Sequence, residues 1–136
     1  SPSVYGYPKR TAVGVDLNRL GLLCAVMTKR GGVNLSSSDV YVNIVGGLKI
    51  SEPALDLAII LAIASANKNI SINSSYVVFG EVGLSGEIRS VNSSDRRLKE
   101  ATKLGYKKAI VPSGLKGSGL LNPKDIKQAI ELITKK

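Results

Sequence analysis

The sequence predicts a mixed α+β domain, with helices packed on a partly antiparallel sheet. Three observations predict it. Residues 54–66 are apolar almost throughout, the pattern of a helix buried on every side. Residues 11–16 and 40–45 carry short alternating apolar segments, and 76–82 is a short apolar segment; all three read as strands. Ile126, Ala129, Ile130 and Ile133 recur at helical spacing near the C-terminus, so a last helix turns one face to the core.

The elements follow in order. Thr11, Val13 and Val15 line one face of the first strand, and residues 17–19 read as a turn. Residues 20–28 form a continuous apolar run, read as a buried strand returning antiparallel to the first. Residues 40–45 make the third strand, and Gly46-Gly47 breaks it. The central helix follows, with Ser51 as its cap, Glu52 at its positive end and Pro53 in its first turn. Asp56 is the one charge inside it, so its carboxylate must be paired, hydrogen-bonded or facing a cleft. Asn67-Lys68-Asn69 stops the helix. Residues 76–82 and 87–91 pair around a Gly83–Gly86 hairpin turn. Ser93 or Ser94 caps a basic amphipathic helix with Leu98, Ala101 and Leu104 on one side, and Gly105 ends it. Residues 109–111 are a short buried strand, 113–121 a glycine-containing loop, and Asn122 with Pro123 starts the last helix.

One domain is expected over residues 9–136, with 1–8 a linker or expression remnant and no signal peptide. The central helix is too short and alanine-rich to span a membrane, which takes about 20 apolar residues. The chain has one cysteine, Cys24, and no histidine, so neither a disulfide framework nor a Cys/His zinc site is possible. A reducing, cytoplasmic setting fits that usage. No phosphate-binding loop of the Gly-x-x-x-x-Gly-Lys type occurs, and a Ser-His-Asp triad is excluded. A Ser/Lys dyad remains chemically conceivable. The net charge of +9 is uneven. Residues 1–88 hold 7 Lys/Arg against 6 Asp/Glu, and residues 89–136 hold 12 against 4, a net of +8. Such asymmetry points to phosphates or an acidic partner, or to a lysine-rich solvated face.

Several long segments occur in one order: RTAVG at 10–14, NRL at 18–20, DVYVNIVGGLK at 39–49, EPALDLA at 52–58, FGEVGLSGEIR at 79–89, RLKEA at 97–101 and AIVP at 109–112. Together they resemble the C-terminal Lon-like domain of bacterial RadA (Sms) recombination proteins, over nearly the whole chain from residue 9 to residue 111. The resemblance implies the fold of the Lon proteolytic domain without its chemistry. The Lon nucleophile lies in a Gly-Pro-Ser-Ala-Gly motif, and on Glu52-Pro53-Ala54-Leu55-Asp56 its serine position falls on Ala54. The lysine position of the dyad falls on Asp95. Alanine offers no nucleophile, and aspartate cannot replace a lysine base. A re-registered Ser51/Lys99 dyad is the residual enzymatic alternative, although capping already accounts for Ser51.

The resemblance further implies a hexameric, RecA-like motor for branch migration in homologous recombination and DNA repair. Its ATP, Mg and Zn would be bound in N-terminal parts, with no cofactor in this chain. The domain would supply ring assembly and contact with single-stranded or branched DNA. By family position, Arg10, Arg19 and Lys49 are the DNA-contacting candidates. Arg96, Arg97, Lys103, Lys107 and Lys108 form a competing basic surface. For each the bland alternative is a solvated basic residue. A pure oligomerisation module without DNA contact is a further alternative. Asp56 either orients Lys49 or an arginine of a neighbouring subunit, or bonds a local backbone or hydroxyl donor.

Overall fold

The computed structural model describes residues 10–13, 16–35, 40–43 and 52–134. Seven strands and four α-helices alternate through the described residues: β1 (Arg10–Val13), α1 (Leu17–Arg30), β2 (Val40–Asn43), α2 (Asp56–Lys68), β3 (Tyr76–Val78), β4 (Glu81–Val82), β5 (Ile88–Arg89), α3 (Ser94–Lys103), β6 (Lys108–Ile110), β7 (Leu120–Leu121) and α4 (Ile126–Thr134). A single 3₁₀ turn, Pro53–Leu55, leads into α2. The predicted mixture of helices with parallel and antiparallel pairing is therefore present: β1 pairs β2 and β3-β6-β7 pair in parallel, whereas β4 and β5 are antiparallel.

The main departure lies at residues 17–30. The expected turn and antiparallel strand are instead one helix, α1. Asp16 caps it, its carboxylate accepting the Asn18 N–H at 3.3 Å. Leu20, Leu23, Cys24 and Met27 are buried at i, i+3, i+4 and i+7, a helical period that a continuous apolar run conceals. The change of element changes the topology. Parallel strands need a long crossover, and α1 supplies it between β1 and β2.

The central helix is borne out from Asp56 onward, but it is not buried on every side, since Ala62 and Ala66 are exposed. Its apolar all-round sequence buries Leu57, Ile59, Ile60, Leu61, Ile63 and Ala64 against α1, α4 and β4. It ends at Asn69, whose left-handed backbone closes the last turn. The Gly46-Gly47 turn and the Ser51 cap lie outside the described residues.

The three-stranded sheet divides the core. Tyr76, Val78, Ile110 and Leu121 face the cluster formed by α1, α2 and α4. Val77, Phe79, Ala109, Val111 and Leu120 face the other way and meet Val91 and Leu98, so α3 covers the second face. This is the two-residue alternation of strands buried on both sides.

Five smaller expectations are corrected. Residues 76–82, expected as one strand, divide into β3 and β4, which belong to different sheets. The loop at 113–121 ends in β7, which the residue pattern hides because it is only two residues long. Asn122 does not cap the last helix; its amide donates to the carbonyls of Val111 (3.3 Å) and Pro112 (2.9 Å). Asp125 caps α4 instead, accepting the Gln128 N–H at 2.9 Å. Leu104 lies beyond the last full turn of α3 and is 70% exposed. Ser93 stands at the start of α3 but makes no side-chain cap bond. Gly105 ends α3 as expected, at a positive φ of 94° that favours glycine.

Gly119 is the most constrained turn. It has φ of 73°, and a Cβ there would stand 2.5 Å from the Lys107 carbonyl oxygen. Gly119→Ala is expected to cost about 2–3 kcal/mol. Gly114→Ala, at φ of 94° with nothing within 4 Å, is expected to cost only about 1 kcal/mol. Urea unfolding of both variants checks the order; equal midpoints would show that the Gly119 contact relaxes away.

Candidate nucleic-acid interface

The N-terminal end of α2 is an arginine-clamped junction. Asp56 is 1% exposed, and a carboxylate removed from water needs compensating donors. It has three. Arg19 Nε donates to Oδ1 at 3.0 Å, Arg19 Nη2 donates to Oδ2, and the Val82 N–H donates to Oδ2 at 3.0 Å. The guanidinium thus grips the carboxylate with two parallel bonds, a geometry lysine cannot offer. The Asp56 carboxylate, through that hydrogen bond first, raises the already high pKa of Arg19. Arg19 is placed for this by α1, in whose first turn it sits. Asp56 therefore ties α1, α2 and β4 together.

The resemblance to the Lon-like domain puts its two dyad positions on Ala54 and Asp95. Ala54, in the 3₁₀ turn, is 3% exposed. Its carbonyl accepts the Gly80 N–H at 2.9 Å, and the Gly80 carbonyl accepts the Leu57 N–H at 3.1 Å. Asp95 is exposed in the first turn of α3. Beside these, Arg97 of α3 forms an ion pair with Glu52, just ahead of the 3₁₀ turn. Arg97 Nε also donates to the Asn92 carbonyl at 3.0 Å. The two elements that would carry a dyad are thus joined by a salt bridge.

Of the predicted DNA-contacting residues, Arg10 and Arg19 fall within the described residues. Arg19 is committed to Asp56, with about a third of its side chain exposed. Arg10 donates to the Leu35 carbonyl at 2.9 Å. Lys49 and Ser51 lie outside the described residues. Most of the competing basic set is exposed. Arg96, Lys99 and Lys103 are exposed along α3, and Lys107 and Lys108 are exposed just beyond it. Asp95 and Glu100 are the acids on that helix. Arg97, also in that set, is turned inward to Glu52. Lys108 stands with its ammonium 5.7 Å from the centre of the Tyr76 ring.

Charge is sorted by residue type. The three ion pairs among the described residues, Arg19–Asp56, Arg89–Glu87 and Arg97–Glu52, all use arginine. The exposed lysines of α3 and the following turn take part in none of them. Glu87, drawn to Arg89 and to backbone N–H groups, is held below the usual carboxylate range. Burial raises the Cys24 thiol, partly offset by Arg10. Sequence reading missed the Arg19–Asp56 and Arg97–Glu52 pairs, because each joins residues 37 and 45 positions apart. The helical period of Leu20, Leu23, Cys24 and Met27 was the available signal that Arg19 opens a helix.

A family model described as "Subunit ChlI of Mg-chelatase" matches residues 23–114. The chain is 50% identical over 112 residues to DNA repair protein RadA of Halalkalibacterium halodurans, covering 82% of the chain and 24% of that protein. It is 43% identical over 136 residues to DNA repair protein RadA of Aquifex aeolicus, covering 97% of the chain and 31% of that protein. It is 50% identical over 114 residues to DNA repair protein RadA of Haemophilus influenzae, covering 84% and 25%. The chain thus spans 24–31% of the length of these relatives.

Asp56→Ala removes the acceptor of Arg19 and of the Val82 N–H, and is expected to cost about 3 kcal/mol. Arg19→Ala leaves the buried carboxylate with one donor and is expected to cost a similar amount, about 3 kcal/mol. The double variant should lose clearly less than the two losses combined, with a coupling of at least ~1 kcal/mol. Denaturant titration of all four proteins measures the cycle, and additive losses would mean that the two residues act independently.

Proposed function

From the premise that the chain belongs to the family described as "Subunit ChlI of Mg-chelatase", we propose that it is a Lon-like, catalytically inactive domain of a RadA-type DNA repair protein. The family description and the relatives' names concern different activities, as befits a domain reused in different proteins. The reading rests on the relatives, whose identity of 43–50% extends over most of the chain. In this reading the parent is a cytoplasmic bacterial hexamer that hydrolyses ATP to drive branch migration in recombination. ATP, Mg and Zn belong to its N-terminal parts. This domain contributes ring assembly and sequence-independent contact with single-stranded or branched DNA.

The observation that carries the DNA role is the exposed set Arg96, Lys99, Lys103 and Lys107, free of the ion pairs found among the described residues. Cations held along one helix and its following turn match a phosphate backbone without reading bases. Arg19 is a positioning residue in this account, since its charge is already opposed by Asp56. The inactivity follows from Ala54, which lacks a nucleophile and is buried with its carbonyl bonded to Gly80. A residual peptidase through Ser51 and Lys99 is the rival, and treatment with a serine-directed fluorophosphonate is expected to leave Ser51 unlabelled.

Fluorescence anisotropy with labelled single-stranded DNA tests the main reading. About four phosphate contacts predict a loss of roughly 50-fold in affinity between 50 and 200 mM salt. The triple variant Arg96→Ala, Lys99→Ala, Lys103→Ala should bind more weakly and with a flatter salt dependence. Arg10→Ala should change little. Wild-type binding that ignores salt, or a triple variant that binds as the wild type does, would overturn the assignment of this surface.

A further inference from the structure

The turn that ends α3 exposes an aromatic ring among cations. Tyr106 is 40% exposed, and Leu104, two residues earlier, is 70% exposed. Phe79 is buried and Tyr76 half-buried, so Tyr106 is the exposed aromatic among the side chains whose burial is described. Exposed Lys103 precedes it, and exposed Lys107 and Lys108 follow it. Between Glu100 and Asp125 the chain holds five lysines and no carboxylate.

The backbone of this turn is held on both sides. The Gly105 N–H donates to the Thr102 carbonyl and the Tyr106 N–H to the Ala101 carbonyl, both at 3.0 Å. This is the paired closure of a helix that ends on a left-handed glycine. Beyond it, the Lys107 N–H donates to the Ser75 carbonyl at 3.3 Å, and the Ala109 N–H to the Gly119 carbonyl at 2.9 Å. A tyrosine on a fixed backbone has only two side-chain torsions to order when a ligand lands on it. Gly119 lies against the Lys107 carbonyl, so the end of the carboxylate-free loop at 113–119 adjoins the same turn. On the helix itself Arg96, Lys99 and Lys103 recur at i, i+3 and i+7, a row about 10 Å long.

We propose that Tyr106 is a stacking platform for an unpaired base, so that this surface takes single-stranded rather than duplex DNA. The inference rests on the reading of α3 as a DNA surface and names the form of DNA held there. An aromatic face beside a row of cations suits a chain that repeats a phosphate and an open base face in every unit. An acidic peptide repeats only the anion, and a duplex keeps its base faces inside the stack. The cations of α3 and of the turn meet phosphates, and the ring meets a base. Stacking is tolerant of sequence because every base has a π-face, which agrees with contact that reads no bases.

Fluorescence anisotropy with labelled oligothymidylate, an abasic strand of equal length and a duplex tests the assignment. Tyr106→Ala should weaken oligothymidylate binding by at least about 5-fold. Its salt dependence should match that of the wild type, since stacking releases no counterions. Its affinity for the abasic strand and for the duplex should stay within about twofold of the wild type, because neither offers a free base. Tyr106→Phe should bind all three as the wild type does. Tyr106→Trp gives the chain its one tryptophan, whose emission oligothymidylate should quench. Three results would overturn the proposal: oligothymidylate affinity unchanged in Tyr106→Ala, an equal loss on the abasic strand or the duplex, or an unquenched indole in the bound complex. The α3 triple variant keeps the two readings apart. Loss of DNA by the triple variant with full binding by Tyr106→Ala would remove the stacking role alone, whereas a wild type that binds no DNA would remove both.

Discussion

A carboxylate buried at the first residue of an apolar helix constrains much of this fold. Asp56 cannot remain charged in the core without donors, and local sequence supplies none. One comes from the backbone of β4 and two from a single guanidinium on α1. Satisfying Asp56 therefore fixes the start of α1, the start of α2 and the approach of the β4-β5 hairpin at one point. The Ala54–Gly80–Leu57 backbone bonds hold the neighbouring chain segments to the same junction.

That junction occupies the place where the Lon resemblance puts a catalytic centre. Its groups are arranged for cohesion. Arginines meet carboxylates, the residue at the nucleophile position is a buried alanine, and Arg97 ties α3 to Glu52. Forked donors suit such fixed pairs, whereas lysine keeps its ammonium hydrated on a flexible stem. The division of labour follows. Among the described residues arginine makes the ion pairs, and lysine supplies most of the outward charge on α3 and the turn after it. The resulting field favours polyanions without demanding a sequence.

Much of the fold was legible where one period dominated. The central helix, the Gly83–Gly86 hairpin, α3 with its Gly105 stop, and the apolar face of α4 each follow from local pattern. The failures share a cause. Leu20 to Thr28 satisfies both a buried strand and a helix, and the choice depends on what packs beside it. Asn122 and Asp125 are both good capping residues, and only the Val111 and Pro112 carbonyls draw Asn122 away. Leu120 and Leu121 become a strand only because β6 lies alongside them.

For the candidate site, the sequence by itself determined the supply of chemistry. It supplied a basic C-terminal third, no histidine, and a lone carboxylate in an apolar helix. It required that carboxylate to be satisfied. Only the tertiary structure decided by whom. Arg19 and Lys107 are both cations on paper, yet one is opposed by a buried aspartate and the other faces solvent. Partners 37 residues apart meet through folding alone, and the charge available to an outside ligand is what those meetings leave over.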